Sequence, residues 1–264
     1  MAVLNIYVVG GTGFIGAHLC YRLATLGHRV HVLTRRPERH RDFRVGDRVK
    51  LLQVNPYDAD ALADTLQDAD CVINLAGILN EAGHSRFSRV HVELPRTIVK
   101  VMRDLGVRRL LHMSALNANV NENHSRYLKT KGEGENLVHQ SPGIDVTSFQ
   151  PSVVFGPGDS FFNRFAALLR MTPGPVFPLA CAGARFAPVY VGDLVEAFAQ
   201  ALDNSETVGQ RLELCGPTSY TLATGRVHRR HDQQESESHR PARLCRTPAG
   251  PYAGPGARQT LHHR

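Results

Sequence analysis

The chain contains no tryptophan, and its five cysteines never come close enough together to form a Cys-x-x-Cys pair. Cys20, Cys71, Cys181, Cys215 and Cys245 are scattered and odd in number, which argues against a disulfide framework and fits reduced thiols in a cytoplasmic setting. No apolar run approaches the ~20 residues that a membrane-crossing helix needs, so no transmembrane segment is expected. No basic leader precedes the first apolar run, which begins almost at Met1; neither a secretory signal nor an organelle presequence is expected. Histidine and cysteine also lack the paired spacing of a metal site, and no metal is expected.

Charge is uneven. The net charge is +7, but residues 223–264 hold eight arginines against three acidic residues. The other residues are nearly neutral, so a basic groove and a nucleic-acid partner are not expected. A hydrophobic content of 42% over 264 residues is enough for a full core in one domain or one and a half.

The most informative stretch is Val3–Gly16. Its β-branched start reads as a buried strand. The run breaks at Gly10-Gly11, and helical spacing follows through Phe14, Ile15, Leu19, Leu23 and Leu26. Gly10, Gly13 and Gly16 form a G-x-x-G-x-x-G pattern at this strand–helix junction. The first permits a tight turn, the second lets a pyrophosphate reach the backbone, and the third lets the helix approach the strand. Free N–H groups at the helix start would face the phosphates. The stretch points to a dinucleotide; a nicotinamide dinucleotide is the expected partner.

Arg29–Thr34 alternates as strand two. In an NAD-binding fold, an acid about 20 residues past the glycine turn would hold the ribose 2′-hydroxyl. Arg35 and Arg36 stand there instead. A guanidinium pairs with a 2′-phosphate that a carboxylate would repel, so NADP(H) is favoured over NAD(H). Arg39, Arg41 and Arg44 read as a solvated loop. Strands are expected at Val49–Val54, Cys71–Leu75, Arg109–Met113, Asp145–Phe149 and Arg211–Leu214. Helices are expected at Asp58–Leu66, Phe87–Leu105 (staggered by Pro95 and closed by Gly106), Ser160–Leu169 and Leu194–Leu202, with Asp193 as an N-cap. The apolar Phe161, Phe162, Phe165 and Leu168 read as core, and Pro173–Pro178 as a loop. Alternating strands and helices predict an α/β, doubly wound parallel sheet, with ligands beyond its carboxyl edge. Asn55, past strand three, and Leu75, Ala76 and Gly77, at the end of strand four, join Gly10, Thr12, Gly13, Phe14, Ile15, Gly16, Arg35 and Arg36 as cofactor-binding candidates.

Ser125 opens a further helix. Tyr127 and Lys131 are four apart and share a face of it; Lys129 does not. A nearby ammonium would lower the phenol pKa from ~10 toward a working base. Lys131 could also bond the nicotinamide ribose, and Ser114, ending strand five, could hold a substrate oxygen. Ser114, Tyr127 and Lys131 are the catalytic candidates.

The Gly10–Gly16 turn, Asn74-Leu-Ala-Gly77, Ser114 and the Tyr127/Lys131 pair together resemble the short-chain dehydrogenase/reductase superfamily in its extended or atypical branch. The runs Gln150–Arg164 and Tyr127–Glu135 further resemble the nucleotide-binding accessory subunits of respiratory complex I and their bacterial relatives. The likeness covers about residues 3–222. It implies a Rossmann fold and bound NADPH. It also implies uncertain or absent turnover, and a peripheral place near the quinone-reactive part of complex I at the inner face of the respiratory membrane. Other relatives are linked to quinone biosynthesis. Gln150 stands where many relatives carry Arg, which weakens an anion-binding role there.

Residues 1–222 read as this Rossmann domain with a partial substrate lobe from about residue 151. Residues 223–264 contain no Phe, Ile or Met and cannot bury enough to offset chain entropy. They read as disordered or as an out-of-frame tail. Three functions are compatible: an accessory factor with little turnover, an active oxidoreductase, epimerase or dehydratase using Ser114, Tyr127 and Lys131, and an NADP(H)-sensing binding module.

Overall fold

The computed structural model describes residues 2–40, 43, 48–83, 86–159, 184–221 and 243–245. The expected helix at Ser160–Leu169, its apolar stripe, the Pro173–Pro178 loop, Arg41 and Arg44 lie outside these residues.

The chain alternates strand and helix as the periodicity requires. β1 (Asn5–Val9) leads into α1 (Phe14–Thr25), then β2 (Arg29–Thr34), β3 (Val49–Gln53), α2 (Ala59–Thr65) and β4 (Cys71–Asn74). After α3 (Leu94–Leu105) come β5 (Arg109–Met113), α4 (Arg126–His139) and β6 (Asp145–Pro151). The short strands β7 (Val154–Phe155), β8 (Arg185–Phe186) and β9 (Val189–Tyr190) precede α5 (Val191–Ala201). β10 (Arg211–Cys215) and β11 (Tyr220–Thr221) follow, and β12 (Arg243–Cys245) lies within the tail. The main sheet has the order β12-β10-β6-β5-β4-β1-β2-β3, parallel throughout except for β12 against β10. Strand order reverses between β1 and β4, which opens a crevice at their carboxyl ends.

Alternation along each strand builds two cores. Ile6, Val8, Cys71, Ile73, Leu111 and Met113 face α1 and α5, where Phe149 stacks on Phe198 at 3.8 Å. Tyr7, Val9, Val72 and Leu110 face the other side with Leu62, Ile98 and Met102 from α2 and α3. The sheet is therefore wound on both faces.

Two local expectations change. The helix expected from Phe87 begins instead as a π-helical turn, Arg89–Glu93, with α3 starting at Leu94 and Pro95 in its first turn. Pro95 lacks the N–H that an α-helix interior needs, so the wider turn ends where it stands. Gly106 closes α3 in the left-handed conformation as expected (φ 76°). Asp193 is not the N-cap of α5; Tyr190 occupies that position and Asp193 lies in the first turn, where a carboxylate suits the helix dipole. Within the tail, Arg243–Cys245 pairs antiparallel with β10. The remainder of 223–264 lies outside the described residues.

Candidate dinucleotide site

A cleft of about 1690 Å³ lies along the carboxyl ends of β1, β2, β4, β5 and β6. Gly10, Thr12, Gly13, Phe14, Ile15 and Gly16 form its floor. Gly10 has φ 80°, and a Cβ there would sit 2.9 Å from the Ala76 nitrogen, so β1 and β4 can meet only without a side chain. A Cβ on Gly16 would collide with the Gly11 backbone, and one on Gly11 would press on Val32 at 2.9 Å. The contact with the strands expected of Gly16 is thus made at Gly11, while Gly16 closes the turn. Gly13 differs. A Cβ there meets nothing nearer than the Gly10 carbonyl oxygen at 3.4 Å, so the missing side chain leaves room in the cleft. Gly13 gives α1 no side-chain cap, and the first turn has no acid. Its first N–H groups are left for an anion.

Asn55, Leu75, Ala76 and Gly77 line the next stretch. The Asn74 side chain accepts from the Ala76 N–H at 3.1 Å and fixes this loop. A Cβ on Gly77 would stand 3.2 Å from the Lys131 ammonium, so the glycine admits that lysine. Arg35 and Arg36 also line the cleft, both exposed. Arg39, expected to be solvated loop, lines it with them.

Ser114, Tyr127 and Lys131 meet in the same cleft, and Lys129 does not line it. Lys131 is buried and donates to the carbonyl oxygens of Met113 (3.0 Å) and Ala76 (3.5 Å). Burial pulls its ammonium down to about 8, opposed by the charge of Glu135. Burial pushes the Tyr127 phenol up. Its ring packs edge-on to His91 (5.4 Å) and Phe87 (6.0 Å).

Ser114 is buried and donates to Glu135 at 3.0 Å. A hydroxyl has one proton, so Ser114 turns only lone pairs toward the cleft. Glu135 is fully buried. Desolvation raises its carboxyl pKa, against the pull of the Gln150 amide (2.8 Å) and of Arg211 (3.8 Å). Gln150 therefore serves a carboxylate rather than a ligand anion. His91 accepts the Ile78 N–H through Nε2 (3.3 Å), which leaves Nδ1–H for Thr130 (2.9 Å). Sequence reading missed Glu135 and His91. The i+4 step from Lys131 to Glu135 was the available signal for the first; nothing local marks the second.

The profile of the NAD dependent epimerase/dehydratase family matches residues 6–215. This chain belongs to that family. Among curated family relatives, it is 30% identical over 220 residues to the rat (Rattus norvegicus) mitochondrial NADH dehydrogenase [ubiquinone] 1 alpha subcomplex subunit 9, covering 81% of this chain and 57% of the relative. It is 27% identical over 219 residues to the NADH-ubiquinone oxidoreductase 40 kDa subunit of Neurospora crassa (82% and 56%). The chain thus spans a little over half the length of these relatives. Over 186 residues it is 28% identical to a ceramide reductase of Caulobacter vibrioides (70% and 57%). Solved structures of like fold include the dTDP-glucose 4,6-dehydratase DesIV of Streptomyces venezuelae with NAD bound. Its TM-score is 0.69 at 22% identity, covering 83% of this chain and 78% of that one. The epimerase Mth375 of Methanothermobacter thermautotrophicus gives a TM-score of 0.68 at 19% identity (83% and 74%).

The residues present fit the dinucleotide that the family name implies. The open cradle at Gly13, the uncapped start of α1 and the approach of Lys131 over Gly77 are features of this cleft. No helix among the described residues is long and apolar enough to cross a membrane.

Proposed function

We propose that this chain binds NADP(H) and acts as an accessory factor of respiratory complex I or of a quinone-linked assembly, with little or no turnover. The observation that carries this reading is the state of the reactive end of the cleft. The Ser114 hydroxyl hydrogen is engaged in a hydrogen bond to Glu135, and burial raises the Tyr127 phenol. The Ser114 hydroxyl has no second hydrogen to donate and the Tyr127 shift runs away from a working base, whereas the floor is open to phosphates. A bound nicotinamide dinucleotide would supply hydride chemistry. Here Gly10–Gly16 would hold its pyrophosphate, Asn55 and Leu75–Gly77 its adenosine and ribose edges, and Lys131 the nicotinamide ribose. Arg35 and Arg36 would meet the 2′-phosphate, since no carboxylate stands in their place. The relatives named as NADH dehydrogenase subunits support the choice of partner. A peripheral position at the inner face of the respiratory membrane follows from that partner.

A second reading is an active oxidoreductase or epimerase, favoured by the convergence of Ser114, Tyr127 and Lys131 on one cleft. Tyr127→Phe separates the two. An accessory factor keeps its nucleotide and its association with respiratory membranes in that variant, as read by mass spectrometry of the released cofactor and by membrane co-sedimentation. Turnover of NADPH by the unaltered chain that vanishes in Tyr127→Phe would overturn the accessory reading in favour of the enzyme.

A further inference from the structure

Arg89 opens the π-helical turn before α3 and lines the cleft beside Tyr57 and Asn55. Its guanidinium lies over the Tyr57 ring, 4.6 Å from the centroid. The stack occupies one face of the group and leaves its in-plane N–H donors for another partner. Arg89 is half-buried, and among the described residues it makes no ion pair. Glu93, one turn along, is exposed and forms none with it. Asp159 is the single carboxylate among the described lining residues, and it follows β7. Arg89, Arg35 and Glu93 all act on the Tyr57 phenol, which places two guanidinium groups and one carboxylate about the same ring; the guanidinium charges outnumber it. A guanidinium stacked on one face and engaged in no ion pair keeps its in-plane donors for an anion in the cleft.

We propose that Arg89 is a further specificity-determining residue for the adenosine 2′-phosphate, supplied from the π-helical turn and held in place by Tyr57, complementing Arg35 and Arg36 from the β2 side. The inference rests on the NADP(H) reading above. A 2′-phosphate carries close to two negative charges at neutral pH and three acceptor oxygens. One guanidinium fork engages two of those oxygens. A group from the α3 side can satisfy what the β2 side leaves open. The adenosine end then discriminates by charge from two separate elements, which a search for basic residues after strand two cannot detect.

Calorimetric titration of the full chain with NADPH and with NADH tests this. Arg89→Gln is expected to weaken NADPH about tenfold or more, the worth of a charge-assisted hydrogen bond. NADH should change less than about twofold, and its retained affinity shows that the variant is folded. The same contrast is expected between 2′,5′-ADP and 5′-AMP. Equal weakening of NADPH and NADH, or no change in either, would overturn the role of Arg89. Arg35→Ser, titrated in parallel, keeps the two ideas apart. Lost NADPH preference in Arg35→Ser with none lost in Arg89→Gln sinks Arg89 alone. An unaltered chain that binds NADH as tightly as NADPH sinks the NADP(H) reading and Arg89 with it.

Discussion

At Gly134 the fold leaves no space for a methyl group. A Cβ there would run into the carbonyl oxygen of His91 in the π-helical turn. Helix propensity alone gives the opposite sign, because alanine in place of an interior glycine ordinarily stabilises by about 0.5–1 kcal/mol. Sterics win here, since the obstacle is backbone rather than a flexible side-chain tip. Gly134→Ala is expected to destabilise by about 1–3 kcal/mol, seen as a lower urea midpoint with an unchanged slope; a raised midpoint would show that the two segments separate freely. Gly132 is held in the same way by the Asn119 backbone at 2.7 Å. The run Lys131-Gly-Glu-Gly-Glu135 was legible as a motif, but the reason for its glycines was not. The obstructing atoms are more than ten and more than forty positions away in sequence. Ser114 shows the same limit: its place at the end of β5 was readable, whereas the acceptor of its hydrogen bond, Glu135, was not.

Lys131 carries a second prediction at this scale. Its ammonium titrates at about 8 because burial disfavours the charge. If that ammonium donates to the nicotinamide ribose, NADPH affinity is level from about pH 7 toward pH 8 and falls above it. The limiting slope is about tenfold per pH unit for one proton. Lys131→Met should bind more weakly at pH 7 and show a flat profile between pH 7 and 9. A fall that persists unchanged in the methionine variant would assign the titration to another group.

At the scale of elements, α4 matters most because it carries Tyr127, Lys131 and Glu135 on successive turns. Ser125 starts it, accepting the Leu128 N–H at 3.3 Å. Ser125→Ala should cost about 1 kcal/mol, and the loss falls on the first turn, which holds Tyr127. A lowered thermal midpoint with faster amide exchange at Tyr127 and Leu128 is the expected signature; protection unchanged there would mean that tertiary packing alone sets the turn. Most elements were readable because their signals are local. β2 and β5 match expectation at both ends, and α2 starts after its Asp58 cap, which accepts from Ala61 at 3.2 Å. The π-helical turn was not readable, because its apolar spacing over a few residues is indistinguishable from that of an α-helix. β12 was missed for a different reason. A strand added to a sheet edge is held by backbone hydrogen bonds, and Arg243-Leu-Cys245 shows no alternating pattern.

Over the whole molecule, the buried histidines set the response to acid. Burial holds His91 at about 3 and His139 at about 4, and His112, between β4 and α4, well below the ordinary histidine range. His91 and His112 are each 2% exposed, so solvent screens little of this. The unfolded chain takes up these protons near pH 6.5 and the folded chain does not. The unfolded state therefore binds more protons between about pH 6.5 and 3, and stability rises with pH across that window. It is fully present above about 6.5 and is lost on acidification. Glu135 acts in the opposite sense, because its raised carboxyl lets the folded state keep a proton that the unfolded chain releases. One carboxyl set against these imidazoles, and against those of His28 and His31, which burial also lowers, leaves acid destabilising, and every tenfold difference in proton affinity between the folded and unfolded chain is worth about 1.4 kcal/mol. Thermal midpoints measured from pH 7.5 to 4.5 should stay level to about 6.5 and then fall steeply. His91→Asn, which retains a side chain able to bond Ile78 or Thr130, should start lower at pH 7.5 and descend less steeply. An equal slope in that variant would show that His91 is protonated without unfolding, and would remove the Ile78–His91–Thr130 connection as the acid-sensitive joint between the β4 loop and α4.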